Sequence, residues 1–336
     1  MFHRQQFFVD GKMTDVVYGT RRRARLIAAV SLVSAVVASH ALAQDVKTDL
    51  RIGVVTPRRA ATPAEISSLR GIRLGAAEAT QTARLFGDRV ETYEAEGDGK
   101  TLGADQAAAF LSSRRKVQIL IGVSAADADA LATFAEQRGL IFLNIASRSE
   151  ALRSACRRNS FHIEAGDAMY TNAKRLTAHV TRANSAGRPS SPDDDSVALW
   201  NEHLERFGAS QLNDRYRAVA HAGMDGSAWA GWAAIKIASE AALRAGSADA
   251  SRIRAYLEAA NTRFDGHKGW PLSFRAADHQ LRQPLYIVGR ASTSAPILDV
   301  PDLRSVSSAS SDRAAIDALD QLSAGSLTRC ATGKAR

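Results

Sequence analysis

The stretch GHKGWPLSFRAADHQLRQPLYIV, Gly266–Val288, gathers two histidines, two arginines, a lysine, an aspartate and two glutamines around a short apolar run. These are the residue types of metal ligation or acid–base chemistry. The spacing argues against both. His267 and His279 stand far apart with only Asp278 beside them, whereas a metal site needs ligands at helical or hairpin spacing. Gly266, Gly269 and Pro271 are turn residues. The stretch therefore reads as turns feeding short strands, with His267, Lys268, Asp278 and His279 expected where polar groups meet water. It marks a fold, not a site.

Other candidates are as few. EAEGDGKT ends like a phosphate-binding loop, but the pattern needs a glycine five residues before Gly99, and that residue is Glu94. Cys156 and Cys330 are the two cysteines; no histidine is placed to act as a base beside Cys156. In an oxidising compartment a Cys156–Cys330 disulfide is expected, stabilising by roughly 5 kcal/mol in the chain-entropy model. No Ser-His-Asp or Cys-His arrangement is present, so no catalytic residue, metal or cofactor is expected and the chain does not read as an enzyme.

The remaining chemistry sits at strand ends. Leu50–Pro57, Val117–Val123 and Leu140–Ala146 are apolar runs of strand length and Arg89–Gly99 reads as a strand ending in a glycine turn, alternating with helical patterns at Glu65–Phe86, Thr101–Lys116 and Ala125–Gly139. The first of these helices would turn Ile66, Leu69, Ile72, Ala76, Ala79, Ala83 and Phe86 to the core. Such β-α alternation predicts an α/β fold with a doubly wound parallel sheet, whose ligands collect beyond the carboxyl ends of the strands. Ser124 follows one strand, where it can cap the next helix or leave backbone N–H groups free for a carboxylate. Ser147, Arg148 and Ser149 follow another; Arg148 is either a solvated loop charge or a bidentate partner for an acidic group.

The N-terminus reads as an export signal. Arg21, Arg22, Arg23 and Arg25 precede an apolar run and a small-residue cleavage site after Ala43, too short to span a bilayer. Residues 1–43 hold six basic against two acidic residues, leaving about +5 of the formal +9 on the remainder. That mild excess shows no basic–aromatic platform, and nucleic-acid binding drops out.

With that leader, the order of elements resembles a type I periplasmic solute-binding protein of the leucine/isoleucine/valine-binding kind. The matching stretches are LRIGVVTP, GIRLGAAEA, VQILIGVSAADADALATFAEQRGLIFLNIAS and FHIEAGDAM, then HLERFGASQLNDRYRA, DGSAWAGWAAIKIASEAALRAG and TRFDGHKGWPLSFR. The resemblance implies two lobes closing on an amino-acid-like or other small anionic metabolite, read by an ABC permease in the inner membrane. Ligand contacts would fall on Ser124, Ala125, Ala146, Ser147 and Arg148; Arg148 departs from the small hydroxyl residue usual there. DHQLRQPLYIV is particular to a branch associated with pyrroloquinoline-quinone-dependent alcohol dehydrogenases, implying periplasmic dehydrogenase components as partners. The organisation expected is a signal at 1–43, a first lobe at 44–168, a shortened second lobe at 169–291 with a Ser/Pro/Asp linker at 185–196, and a tail at 292–336 returning to the first lobe. The second lobe looks incomplete. A non-transport periplasmic accessory with no ligand of its own is the alternative function. Trp229 and Trp232 are expected in the core.

Overall fold

The structure, a computed structural model, describes residues 47–57, 61–97, 101–184, 195–289 and 298–299. The expected signal, most of the linker, all of the tail but Leu298–Asp299, and Cys330 lie outside the described residues.

Five parallel strands form the central sheet: β1 (Asp49–Pro57), β2 (Arg89–Gly97), β3 (Ile119–Gly122), β4 (Ile141–Asn144) and β5 (Ser160–His162), in the order β2-β1-β3-β4-β5. Alternation within each strand divides the core in two. Leu50, Ile52, Val54, Ile119, Ile121, Ile141 and Leu143 face one apolar cluster. Val55, Leu120 and Phe142 face the other, with α2 (Thr101–Phe110) and α3 (Ala128–Arg138). Being buried on both faces is why these strands read as continuous apolar runs. Gly139 closes α3 in the left-handed conformation, as its position after the helical pattern predicts.

The first cluster is completed by residues far along the chain. Helix α1 (Pro63–Leu85) starts at a capping box, in which Thr62 accepts from the Glu65 N–H at 3.3 Å and Glu65 accepts from the Thr62 N–H at 2.8 Å. It lies against α7 (Gly226–Ala245), backbone to backbone: a Cβ on Gly71 would strike the Ala228 carbonyl, and one on Gly231 the Ser68 carbonyl. Asp225 locks the pair, accepting from the Ala228 N–H that it caps and from Ser67 Oγ, at 2.8 and 2.7 Å. Of the residues expected at the core, Ile72, Ala79 and Ala83 are buried and Leu69 packs against them, and this contact adds the small residues beside them to the buried face. Ser67, Ser68, Gly71 and Gly75 are buried, while Ile66 and Phe86 are exposed. Small residues win because they let two helices approach more closely than leucines could.

Between and after these come α4 (Glu150–Ser154), α5 (Asp167–Asn184), α6 (Ala209–Ala220) and α8 (Ala250–Glu258). Two small antiparallel sheets follow: β6 (Asp195–Ala198) with β10 (Tyr286–Gly289) and β11 (Leu298–Asp299), and β7 (Phe264–Asp265) with β8 (Pro271–Phe274) and β9 (Leu281–Arg282). Trp229 and Trp232 are core residues; Trp229 stacks on Trp200 at 6.0 Å and donates to the Gly266 carbonyl at 3.0 Å. The described residues fall in one compact unit, and Leu50, Trp200, Trp229 and Tyr286 share one apolar cluster. The helices that the sequence assigns to a second lobe thus complete the core of the first.

Candidate functional site

Register places the strand ends together. Gly122 pairs with Asn144, and Asn144 with His162, so the residues after β3, β4 and β5 leave the sheet along one crest. All five candidate contacts lie there, on two adjacent loops.

After β3, Ser124 is extended and buried, and its side chain makes no hydrogen bond to the 3-10 turn Ala125–Asp127 that leads into α3. Of its two readings, the helix cap is not the one formed. Ala125 is exposed.

After β4 the loop is held from within. Asn144 Oδ1 accepts from the Ser147 and Ala146 N–H groups at 2.9 and 3.3 Å, and Nδ2 donates to the Ser147 carbonyl at 2.7 Å. The Ala146 and Ser147 N–H groups that this loop could offer a ligand are therefore spent on Asn144. What remains toward solvent is the Ala146 methyl, the mostly buried Ser147 hydroxyl and the Arg148 guanidinium.

Arg148 resolves between its readings as a positioned charge. Its side chain is 53% exposed, lies 3.9 Å over the Tyr170 ring and meets Glu164 Oε1 at 3.3 Å. Glu164, two residues beyond β5, is buried and accepts from Tyr170 Oη at 2.8 Å. Burial pushes its carboxyl upward, against the Tyr170 hydrogen bond and the charges of Arg148 and Arg153. Tyr170 is pushed far upward, first by burial and then by Glu164, so it stays a neutral donor. Glu164 and Tyr170 were not among the sequence candidates. The one local signal was an acid between apolar neighbours, Ile163 and Ala165.

A buried polar network positions this cluster, and it corrects the reading of Gly266–Val288. Arg153, 3% exposed, donates to the carbonyls of Ser147 (3.2 Å), Ser149 (2.9 Å) and Glu164 (2.6 Å) and to Gln280 Oε1 (2.6 Å). Gln280 Nε2 donates to the carbonyls of His162 and Glu164, both at 3.1 Å, and Gln283 Nε2 to that of Ile163 at 2.6 Å. Lys268 was expected in water; it is 2% exposed, 3.9 Å over the Trp229 ring, and donates to Gln283 Oε1 and the carbonyls of Leu199 and Pro284. Asp278 is likewise buried against Arg275. The polar residues of this stretch bind the backbone of β5 and the loop after it, because an edge strand buried under a hairpin must have its carbonyls satisfied. His267 and His279 lie on opposite partners, Trp232 and Phe161.

A cavity of about 840 Å³ elsewhere, on the α1–α7 face, is walled by Glu78, Trp232, Lys236, Glu240 and His267, and none of the five candidate residues lines it. Among the described residues no three His, Cys, Asp or Glu side chains are grouped to hold a metal ion, and no helix is long and apolar enough to cross a membrane.

Comparison with known proteins agrees with this geometry. Residues 49–185 match the family model described as periplasmic binding protein. No curated protein matches the chain. Solved structures do. A branched-chain amino acid transporter substrate-binding protein from Streptococcus pneumoniae, in complex with isoleucine, is 14% identical, with a TM-score of 0.59 over 75% of this chain and 100% of that one. A solute-binding protein of an ABC transporter from R. palustris, in complex with benzoate, is 13% identical, with a TM-score of 0.59 over 75% and 95%. A branched-chain amino acid ABC transporter periplasmic ligand-binding protein from Burkholderia xenovorans is 11% identical, with a TM-score of 0.61 over 75% and 94%. These neighbours are solute-binding proteins, not enzymes. Through residues 49–185 the chain is thus similar in sequence to the periplasmic binding proteins, and it has the type I periplasmic-binding-protein fold.

Proposed function

We propose that this protein is the periplasmic substrate-binding component of an ABC importer and takes a small metabolite bearing a carboxylate at the crest after β3 and β4. The observation that carries the reading is Arg148: a half-exposed guanidinium, held against Glu164 and Tyr170, beside Ser124 and Ser147 on one edge of the sheet. A guanidinium whose stem and one edge are fixed loses little freedom when its other edge pairs with a carboxylate. Ala125 and Ala146 would supply the apolar contacts. The permease, export through the N-terminal segment and a Cys156–Cys330 disulfide belong to the same proposal.

The test is a thermal-shift screen of residues 44–336 against amino acids, short aliphatic acids and aromatic acids. A ligand at 100 times its Kd adds about 2.7 kcal/mol of apparent stability. Arg148→Ala should cut that gain to about 0.4–1.4 kcal/mol at the same concentration; a shift left undiminished removes the crest from the proposal. One observation favours the alternative of a non-transport accessory in the alcohol dehydrogenase branch. The helices between Ala209 and Glu258 are consumed in the first lobe's core, so among the described residues no second core faces the crest. A screen in which no compound shifts the melting temperature selects that alternative.

A further inference from the structure

A second cavity, of about 170 Å³, opens beside β5, between the segment after α4 and the β8–β9 turn. Its volume is that of about five waters at roughly 30 Å³ each, enough for an ion of a few heavy atoms. His162 lines it and is 2% exposed. The Asn144 amide fixes the ring's proton. Asn144 Nδ2 already donates to the Ser147 carbonyl and stands 3.3 Å from His162 Nδ1, so Nδ1 accepts and Nε2 carries the hydrogen. No group among the described residues accepts from that Nε2–H, which is the ring edge left for the cavity. Burial, with Arg153 next, holds the ring well below its ordinary pKa and keeps it a neutral donor.

Arg157 supplies a second unanswered donor. Its Nη2 meets Thr133 Oγ1 at 3.0 Å and Asp129 at 2.9 Å, but its Nη1 is buried with no hydrogen-bond partner. The two acids in the wall are committed elsewhere. Asp278 takes two bonds from Arg275, at 2.8 and 2.7 Å; Glu258 faces Arg254 at 3.7 Å and His279 Nε2 at 3.4 Å. Arg153 and Arg158 also line the space. Donors without acceptors, in a small cavity with an excess of guanidinium, describe an acceptor-rich guest.

We infer that this cavity binds a small oxyanion, phosphate or sulfate, through Arg157 Nη1 and His162 Nε2–H, whether the ion is free or the end of a phosphate monoester. The inference does not depend on what the crest binds. It is tested by calorimetric titration of the full chain with inorganic phosphate, sulfate and glycerol phosphate, against chloride at matched ionic strength. Expected is saturable binding of phosphate and sulfate at one site, weakened at least tenfold in Arg157→Met and unchanged in Arg73→Ala, whose guanidinium pairs with Glu94 on α1's exposed face. Glycerol phosphate binding as well as phosphate assigns the site to monoesters; its exclusion assigns the site to the free ion. Uptake no different from chloride, or binding untouched by Arg157→Met, overturns the inference. Should Arg157→Met fail to fold, histidine ¹⁵N spectra of the unaltered chain decide: phosphate must shift the His162 Nε2–H signal, and a static signal refutes the site.

Discussion

The loops after β3 and β4 leave neighbouring strands at one edge of one sheet, yet they are held in opposite ways. The register partners Gly122 and Asn144 make the difference. Gly122 has no side chain to fold over its loop, and a Cβ there would press on Leu131, so Ser124 and the turn after it are left without a side-chain clasp. Asn144 turns back over its own loop and satisfies both of its N–H groups and a carbonyl. Equivalent topological position therefore does not give equivalent chemistry. One loop keeps backbone donors in reserve, and the other trades them for rigidity and delivers an arginine instead.

The largest expected effect breaks the rigid loop. Asn144→Leu leaves the Ala146 and Ser147 N–H groups and His162 Nδ1 without their partner and the Ser147 carbonyl with Arg153 alone, and should cost roughly 3 kcal/mol or more in urea unfolding. A loss under about 1 kcal/mol would mean that the clasp is incidental. Next is Arg148→Ala, expected to lower affinity for a carboxylate ligand roughly 10- to 100-fold, the worth of a charged hydrogen bond. Its effect on stability should be smaller, since the charge is half exposed.

Acid should loosen the same loop through His162. Its folded pKa is depressed by burial, so in the window below about 6.5 the unfolded chain binds a proton that the folded chain refuses. Stability then falls as pH drops below that value, by at most about 1.4 kcal/mol per pH unit for each such histidine; His279 is lowered likewise. Glu164 acts with the opposite sign. Its folded pKa is raised, so stability falls as pH climbs from about 4.5 toward the folded value. Urea unfolding between pH 4.5 and 7.5 should show both slopes in the native chain and only the histidine slope in Glu164→Gln. The smallest effect is Ser124→Ala, within about 0.5 kcal/mol, because a hydroxyl that caps nothing forfeits no cap. A loss near 1 kcal/mol, typical of a missing N-cap, would erase the contrast between the two loops.

Strands β1, β3 and β4 were legible because they are buried on both faces, and a run such as LRIGVV has few other ways to fold. Gly139 and the two tryptophans were legible for similarly local reasons. Asn144 was hidden by the apolar run around it, since nothing in LIFLNIA says that its polar member turns back on the following loop. Lys268 was misplaced into water, and the roles of Gln280 and Gln283 went unread, because what they bind lies far away in sequence: Gln280 reaches His162, and Lys268 reaches Leu199. Periodicity reports which face a residue shares with its neighbours, not which distant carbonyl needs a donor. The face of α1 was legible at Ile72, Ala79 and Ala83, but counting apolar residues missed Gly71 and Gly75, where close approach was selecting glycines, and wrongly included Ile66 and Phe86.

That α1–α7 seam also governs when the molecule can form. Its halves, Gly71 and Gly231, are separated by most of the sheet's own sequence, so one side of the sheet stays uncovered until synthesis has passed Ala245. A nascent polypeptide shorter than that has strands but no lid for them, and closing so long a loop is slow. The chain is consequently built to remain uncommitted until about three-quarters of it has been made.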